Sequence, residues 1–485
     1  MNKLTIFLLL IFSLNASPQS GISWETGKNV SSSNLGNFHP RIATDGSGNP
    51  MIIWGRSSDG SVFFTRWYGS AFTTPLKLNP SWLSIATASW MGPDIASKGD
   101  TVYVVMKRVP EASDTNHIYI VHSFNGGMTF SAPVRVDFIA DSISRFPTVK
   151  VDETGNPVVA FMKFNSSFLE SRWVVTWSTD FGTTFSTDVK ASGWSGPGSV
   201  VCDCCPGCLA GYENTFAMLY RNNLFNIRDS WVGISNNGGA SFSNGWNIDN
   251  NNWYINVCPA SGPDGVIMGD SLYSVFMSGA SGAIRVYRST YSMTNPGSHP
   301  AQSLAGTIPG LNQQNYPRID RSGDAVAIVW EQTVNGQGQL PVLFTNDVSN
   351  GFPSSYDTVD LNDVTNADVA LSNGNIYVAW EDDNSGTIKY RKGIYSPVNT
   401  YVNKIRNNQF SVYPNPASEH ISIDLTYIQG KLKTVNIFEL TGKKISGFLT
   451  EENKVVLNIS DYPSGIYFVK VSTGYSNFTG KFCKN

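Results

Sequence analysis

Charge is scarce in this chain, and neither sign prevails. Only 15% of the 485 residues are charged, and the formal net charge is −3. Phosphate backbones are bound by concentrated basic surface, so nucleic acid is excluded as a partner. Histidine is rarer still: the five residues are scattered, which excludes a zinc-protease motif or a multi-histidine metal site. Long apolar runs are missing beyond the N-terminus, so no later segment offers the roughly 20 apolar residues of a membrane-spanning helix. What is abundant is turn chemistry. Gly (44) and Pro (24) are frequent and aromatic residues reach 12%, which suits many short strands rather than a helical bundle or a disordered chain.

The first residues assign a compartment. Lys3 gives a positive start, Leu4 to Leu14 form a short apolar stretch, and Ala16, Ser17 and Ser20 offer cleavage points. Residues 1–20 therefore read as a signal peptide. No cysteine follows the cleavage region, so a lipoprotein anchor is not expected.

The body repeats. Seven segments share a polar or Pro-containing start, an apolar strand, an Asp/Gly-type turn and a second apolar strand. They begin at His39 (HPRIATDGSGNPMIIW), Gly92, Phe146, Cys202, Cys258, Tyr316 (YPRIDRSGDAVAIVW) and Ala367. Successive starts lie roughly fifty to sixty residues apart, room for about four strands each, which is the signature of propeller blades. The segment from Ile22, ISWETGKNV, matches only the final strand of a unit, and the last unit ends near Tyr395 without one. A ring closed by the N-terminal strand explains both. The expectation is an all-β chain: a seven-bladed β-propeller over 21–395, with six blades as the alternative, a polar linker at 396–408, and a small β-sandwich over 409–485.

Three turns repeat one pattern: Ser123, Asn125, Gly127 and Phe130; Ser178, Asp180, Gly182 and Phe185; Ser235, Asn237, Gly239 and Phe242. The Asp or Asn side chain can satisfy backbone N–H groups within the turn, and Gly permits positive φ. These resemble the Asp-boxes of the sialidase (BNR-repeat) superfamily, with Phe in place of the usual final Trp. The resemblance implies a propeller whose boxes are structural and whose ligands sit around the axis on the opposite face. The family binds a substrate carboxylate with three arginines, the first within Phe/Tyr-Arg-Ile-Pro, and cleaves with a Tyr nucleophile, an activating Glu and an Asp acid/base. Here the order is Pro40-Arg41-Ile42, echoed by Pro317-Arg318-Ile319, so that signature is unmatched and the recurrence fits a repeat consensus.

Candidate ligand-binding residues follow from that orientation. Loops after the second strand carry Arg56, Lys107, Arg108, Lys163 and Arg221 in the first four blades, and Glu331, Glu381, Asp382 and Asp383 in the last two. One arc of the mouth would be basic and another acidic, and a basic arc can hold a carboxylate or sulfate. Arg41, Arg318 and Arg228 join the list because Arg binds carboxylates bidentately. No nucleophile can be picked among twenty tyrosines, and Asp45, Asp94 and Glu331 are indistinguishable as acids.

Cys202, Cys204, Cys205 and Cys208 are packed into CDCCPGC, and Cys258 opens the next unit. Disulfides are the default outside the cell. Thiolates so clustered could instead hold copper or zinc, the only cofactor that the sequence suggests.

The tail carries VYPNPASEHISI from Val412, IFELTGKKI, ISDYPSGIYFVKV and the end TGKFCKN. These look like the type IX secretion sorting domain of Bacteroidota. The resemblance implies partnership with that machinery, cleavage of the tail together with Cys483, and delivery to the outer-membrane surface or beyond. The leading expectation is a surface protein recognising an extracellular, anionic glycan. An exo-α-sialidase-type glycoside hydrolase and a structural or adhesive protein are the alternatives, since fold alone does not choose.

Overall fold

A computed structural model describes residues 21–397 and 410–485, apart from 33–35, 112–115, 139–141, 298–299, 305–306, 427, 429–431 and 474–476. The expected signal peptide and nearly all of the expected linker lie outside the described residues. The chain divides into two compact units, Met1–Pro397 and Val398–Asn485.

The described residues of the first unit form seven antiparallel sheets, each built on a path of four strands. Their innermost strands are Asn37–Thr44, Asp94–Lys98, Ser142–Val151, Cys208–Tyr212, Asp264–Met268, Leu311–Ser322 and Val364–Ser372. Each packs against the next, and the last packs against the first, so the sheets close into a propeller around one axis. The N-terminal strand Ser23–Trp24 completes the wheel as the outer strand of the final sheet, pairing with Gly393 and Ile394. Closure removes the unpaired edges that an open array would expose.

The second strand of each blade explains why the repeat is apolar without alternation. Met51–Gly55, Val102–Lys107 and Phe216–Asn222 are buried throughout. A blade inside a ring has a neighbour on both faces, so both sets of side chains are buried and the strand reads as a continuous apolar run. Carboxylates stitch neighbouring blades near the axis. Asp94 Oδ2 accepts from Val149 N at 3.1 Å, Asp264 Oδ2 from Ile319 N at 3.0 Å, and Asp368 Oδ2 from Ile42 N at 2.9 Å. The last of these joins blade seven to blade one.

The three Ser/Asp-Asn turns share one network. Gly127, Gly182 and Gly239 donate to Ser123, Ser178 and Ser235 Oγ at 2.9, 2.8 and 2.9 Å. Thr129, Thr184 and Ser241 N–H groups bond the Asn125, Asp180 and Asn237 side chains. The turns lie between third and fourth strands, away from the starts of the innermost strands.

The second unit is a small sandwich of two antiparallel sheets. One holds Ser411–Tyr413, His420–Asp424 and Lys454–Asn458; the other holds Lys433–Glu439, Lys444–Thr450, Gly465–Ser472 and Asn477–Lys484. Ile421, Ile423, Val435, Ile437, Val469 and Val471 fill its core at every second position of their strands.

Candidate functional site: an axial cup

Four of the innermost strands begin with a bulge. Register shifts occur between Phe38 and Arg41, Arg145 and Thr148, Asn315 and Arg318, and Thr365 and Asp368. In each bulge one residue takes positive φ: His39 at 57°, Phe146 at 50°, Tyr316 at 45° and Asn366 at 53°. An unpaired residue in that conformation re-aims its side chain. Four blades thereby present these side chains around the axis.

The residue that opens the regular ladder of each blade forms a ring of seven: Arg41, Asp94, Thr148, Cys208, Asp264, Arg318 and Asp368. Above it lies a cup walled by Trp90, Met91, Phe146 and Tyr316 and floored by His39, Arg41, Asp94, Thr148, Arg318 and Asn366. The Trp90 and Phe146 rings meet edge to face at 5.6 Å. His39 lies so close to Gly92 that a Cβ there would sit 2.6 Å from the imidazole. Only glycine lets the ring lie flat on the wall.

The two arginines differ in their partners. Arg318 Nε lies 3.2 Å from Asp264 and 3.0 Å from Asp368. Burial alone would depress its pKa, but these two carboxylates hold it well above the ordinary value. Arg41 is 8% exposed and its hydrogen bond runs to the carbonyl of Pro40 at 2.7 Å. Among the described residues it has no carboxylate in ion-pair reach. Burial, then the nearby Arg318 charge, lower its pKa to about 10. Beside it, His39 Nδ1 is buried without a hydrogen-bond partner. Burial and the two arginines keep the imidazole neutral, well below its ordinary pKa. The cup floor therefore holds a buried cation and a buried ring nitrogen, both short of a partner.

The acidic side of the mouth is real but protonatable. Glu381 accepts from His39 N and from Asn366 Nδ2, both at 3.3 Å, and burial raises its pKa to about 7. Burial followed by Asp383 and Glu381 pushes Glu331 up to about 8. Tyr316 feels both glutamates, and burial with their charge pushes its phenol up to about 12.

The remaining candidates are engaged elsewhere. Arg56 pairs with Asp59 in its own turn, and Lys163 with Asp188 at 2.8 Å. Lys107 is buried against Asn116 at 2.7 Å and Glu111, with burial lowering its pKa to about 8. Arg108 stacks on Trp82. Arg221 donates to the carbonyls of Ser261, Arg228 and Met277, a strut inside the wheel. Arg228 reaches Ile255 O and Cys202 Sγ. The structure thus brings Arg41, Arg318 and Glu381 together; of the expected basic arc, Arg56, Lys107 and Lys163 are paired with carboxylates, while Arg108 and Arg221 are held by an aromatic ring and by carbonyls. Asp382 pairs with Lys389, and Asp45 caps its own turn through Ser47 and Asn49 N–H groups. Sequence reasoning passed over His39, Trp90, Phe146, Tyr316 and Asn366. The signal available was the residue preceding each PR, PT or AD pair, which is where the bulges fall.

Of the five clustered cysteines, four pair as Cys202–Cys205 and Cys204–Cys258. Cys208 is a free, buried thiol in the axial ring beside Asp264, and Cys483 is free in the second unit.

Residues 411–485 match the family described as the secretion system C-terminal sorting domain. The second unit is a type IX sorting tail, and the protein is delivered to the cell surface or the extracellular space. No helix among the described residues is long and apolar enough to cross a membrane. No curated protein sequence matches the chain. Among solved structures it is similar to a Dyadobacter fermentans protein of unknown function, at 12% identity and TM-score 0.44, over 65% of this chain and 95% of that one. It is similar to a sialidase of Streptococcus pneumoniae at 10% identity and TM-score 0.43, over 73% and 85%. An α-L-arabinofuranosidase of Fusarium graminearum gives 12% and 0.45, over 67% and 98%.

Proposed function

We propose that this exported propeller binds the acidic terminal sugar of an extracellular glycan in its axial cup. One observation carries the reading: Arg41 and His39 Nδ1 are buried side by side with unmet polar capacity, beneath aromatic walls. Asp368, Asp94 and Asp264 act on the Arg41 charge from beyond contact and do not offset its burial, so a ligand carboxylate in direct contact would lower the remaining cost. Trp90, Phe146 and Tyr316 offer apolar faces to a sugar ring, while Arg318, already shared by two aspartates, orients the floor rather than the ligand. A charged residue at the floor of a concave, mostly apolar cup is the usual design of a small-molecule site.

The test is a glycan array followed by calorimetry with N-acetylneuraminic acid and glucuronic acid. Binding of an acidic sugar that Arg41→Met abolishes supports the reading; equal binding of neutral sugars by both proteins refutes it.

A hydrolytic reading has one observation in its favour, the placement of Tyr316 in the field of Glu331 and Glu381. A nucleophile needs a lowered pKa or an adjacent base. In this state the phenol is raised and both glutamates are near neutrality, so binding is the better supported role. Release of fluorophore from a sialoside, lost in Tyr316→Phe, would reverse that order.

A further inference from the structure

Cys202, Cys204 and Cys205 precede the innermost strand of the fourth blade, Cys208–Tyr212, and Cys258 precedes that of the fifth, Asp264–Met268. The four sulfur atoms all lie within 4.8 Å of one another. Between the two bridges, Cys202 Sγ and Cys204 Sγ are 3.6 Å apart. Four sulfurs bound about 2.3 Å from a tetrahedral zinc ion stand roughly 3.8 Å apart. The Cys202–Cys204 separation across the two bridges already matches that spacing, and no other pair of the four sulfurs exceeds it by more than about an ångström.

The surroundings of the sulfurs point the same way. Arg228 Nη1 donates to Cys202 Sγ at 3.2 Å, and Ala260 N to Cys258 Sγ at 3.3 Å. N–H donors around a thiolate are a common outer shell of sulfur-ligated metals. Arg228 supplies an independent argument. The residue is 8% exposed, and its guanidinium bonds run to Ile255 O and Cys202 Sγ. Among the described residues it has no carboxylate in ion-pair reach. Two disulfides are neutral and place no counter-ion in contact with this charge, on which Asp203 acts only from beyond ion-pair distance. A divalent ion held by four thiolates carries two net negative charges, and would place them against Arg228.

We propose that Cys202, Cys204, Cys205 and Cys258 form, in the reduced protein, a tetrathiolate site for one d10 cation of the zinc class, alternative to the two disulfides. A dithiol or phosphine reductant gives each disulfide two electrons and each takes up two protons, so the two bridges yield four thiols. Binding of Zn²⁺ then releases four protons, and a small-molecule disulfide oxidant, taking two electrons per bridge and leaving as two thiolates, re-forms both disulfides and frees the ion. Cys208 is not a ligand: it sits on the axial ring against Asp264, and burial pushes its thiol well above the ordinary range. The site also bears on the cup. Pro206 and Gly207 follow Cys205, Ala260 and Gly262 follow Cys258, and all four line the cup wall. Exchange between metal and disulfides would act on that wall directly.

Metal binding tests the assignment without any glycan. The full chain, carrying Cys483→Ser, is kept in phosphine reductant and titrated with Co²⁺ and then Zn²⁺. The expected result is one ion per chain, with the intense sulfur-to-cobalt charge-transfer band and the visible bands of a tetrahedral site. Cys208→Ser should leave both unchanged, Cys204→Ser and Cys258→Ser should abolish the tetrahedral spectrum, and Arg228→Gln should weaken zinc affinity at least tenfold. The oxidised chain should take up no metal. Far-UV circular dichroism accompanies every sample. A reduced chain that stays folded yet gives no tetrahedral cobalt spectrum overturns the proposal. So does a chain that unfolds on reduction and is not refolded by zinc, or a spectrum that needs Cys208.

Discussion

Replacing Arg41 by methionine should stabilise the protein while removing its ligand. The folded state holds the Arg41 guanidinium at a pKa of about 10, against an ordinary 12.5. At about 1.4 kcal/mol for each tenfold change, that difference amounts to roughly 3 kcal/mol of unfavourable charging. Methionine keeps most of the volume, discards the charge, and gives up the bond to the Pro40 carbonyl, a loss of about 1 kcal/mol. The expected balance is a gain on the order of 1–2 kcal/mol, a ligand site being maintained against stability. Arg318→Met is the contrast. It strips a shared cation from the buried Asp264 and Asp368 carboxylates, and breaking such a buried pair costs about 3–5 kcal/mol. Denaturant midpoints of the three proteins provide the comparison, with and without N-acetylneuraminic acid. At about a hundred times its Kd a ligand adds about 2.7 kcal/mol, and only proteins retaining Arg41 should show the addition. If Arg41→Met falls as far as Arg318→Met, the Arg41 charge is compensated in the folded state and the argument for an anionic ligand collapses.

Glu331 gives a pH prediction. An unfolded glutamate loses its proton near pH 4.3, whereas the folded state keeps the Glu331 proton until about 8. The folded state binds more protons between those values, so stability declines as pH rises through that window. Glu331→Gln should raise the denaturation midpoint at pH 8.5 and leave it unchanged at pH 4; equal effects at both would refute the shift. Gly262→Ala places a Cβ 1.8 Å from the Pro206 carbonyl oxygen, backbone against backbone. The loops must part by more than ~1 Å, at a cost of about 1–3 kcal/mol. Gly27→Ala, whose Cβ would meet nothing closer than 3.8 Å, should be nearly silent in the same melt. Removing residues 411–485 should leave the thermal melt of the propeller intact and hold it inside the cell envelope, read by fractionation and surface proteolysis; surface display of the truncated chain would contradict the role of the tail.

Much of the architecture was legible in the sequence because it is written repeatedly. A blade flanked on both faces demands an unbroken apolar second strand, and MIIW, VYVVM, VVAFM and IYVAW state that demand again and again. The Ser/Asp-Asn turns were legible for the same reason, since Ser123, Ser178 and Ser235 each cap the same kind of loop. Charge at loop ends misled in the expected direction. Arg56, Lys107, Lys163 and Arg221 are indeed at strand ends, but each finds a partner a short distance along or across the chain, the fully buried Lys107 and Arg221 included. Arg41 and Arg318 carry the same PRI signature and sit among the same ring carboxylates, yet only Arg318 is in ion-pair contact with them.

What the sequence determined by itself was the local and periodic content: a strand every dozen residues, a repeating four-strand unit, a terminal strand left over, and a tail whose motif addresses the chain outward. Each of these depends on neighbours within a few tens of residues. Only the tertiary structure decided which charges remain unmet. Whether a buried guanidinium is paired depends on atoms contributed by other blades, hundreds of residues away, and on backbone bulges that turn His39 and Tyr316 toward the axis. Asp368 makes its ion-pair contact with Arg318 and not with Arg41 because the ring closes as it does. No spacing along the chain encodes that distance.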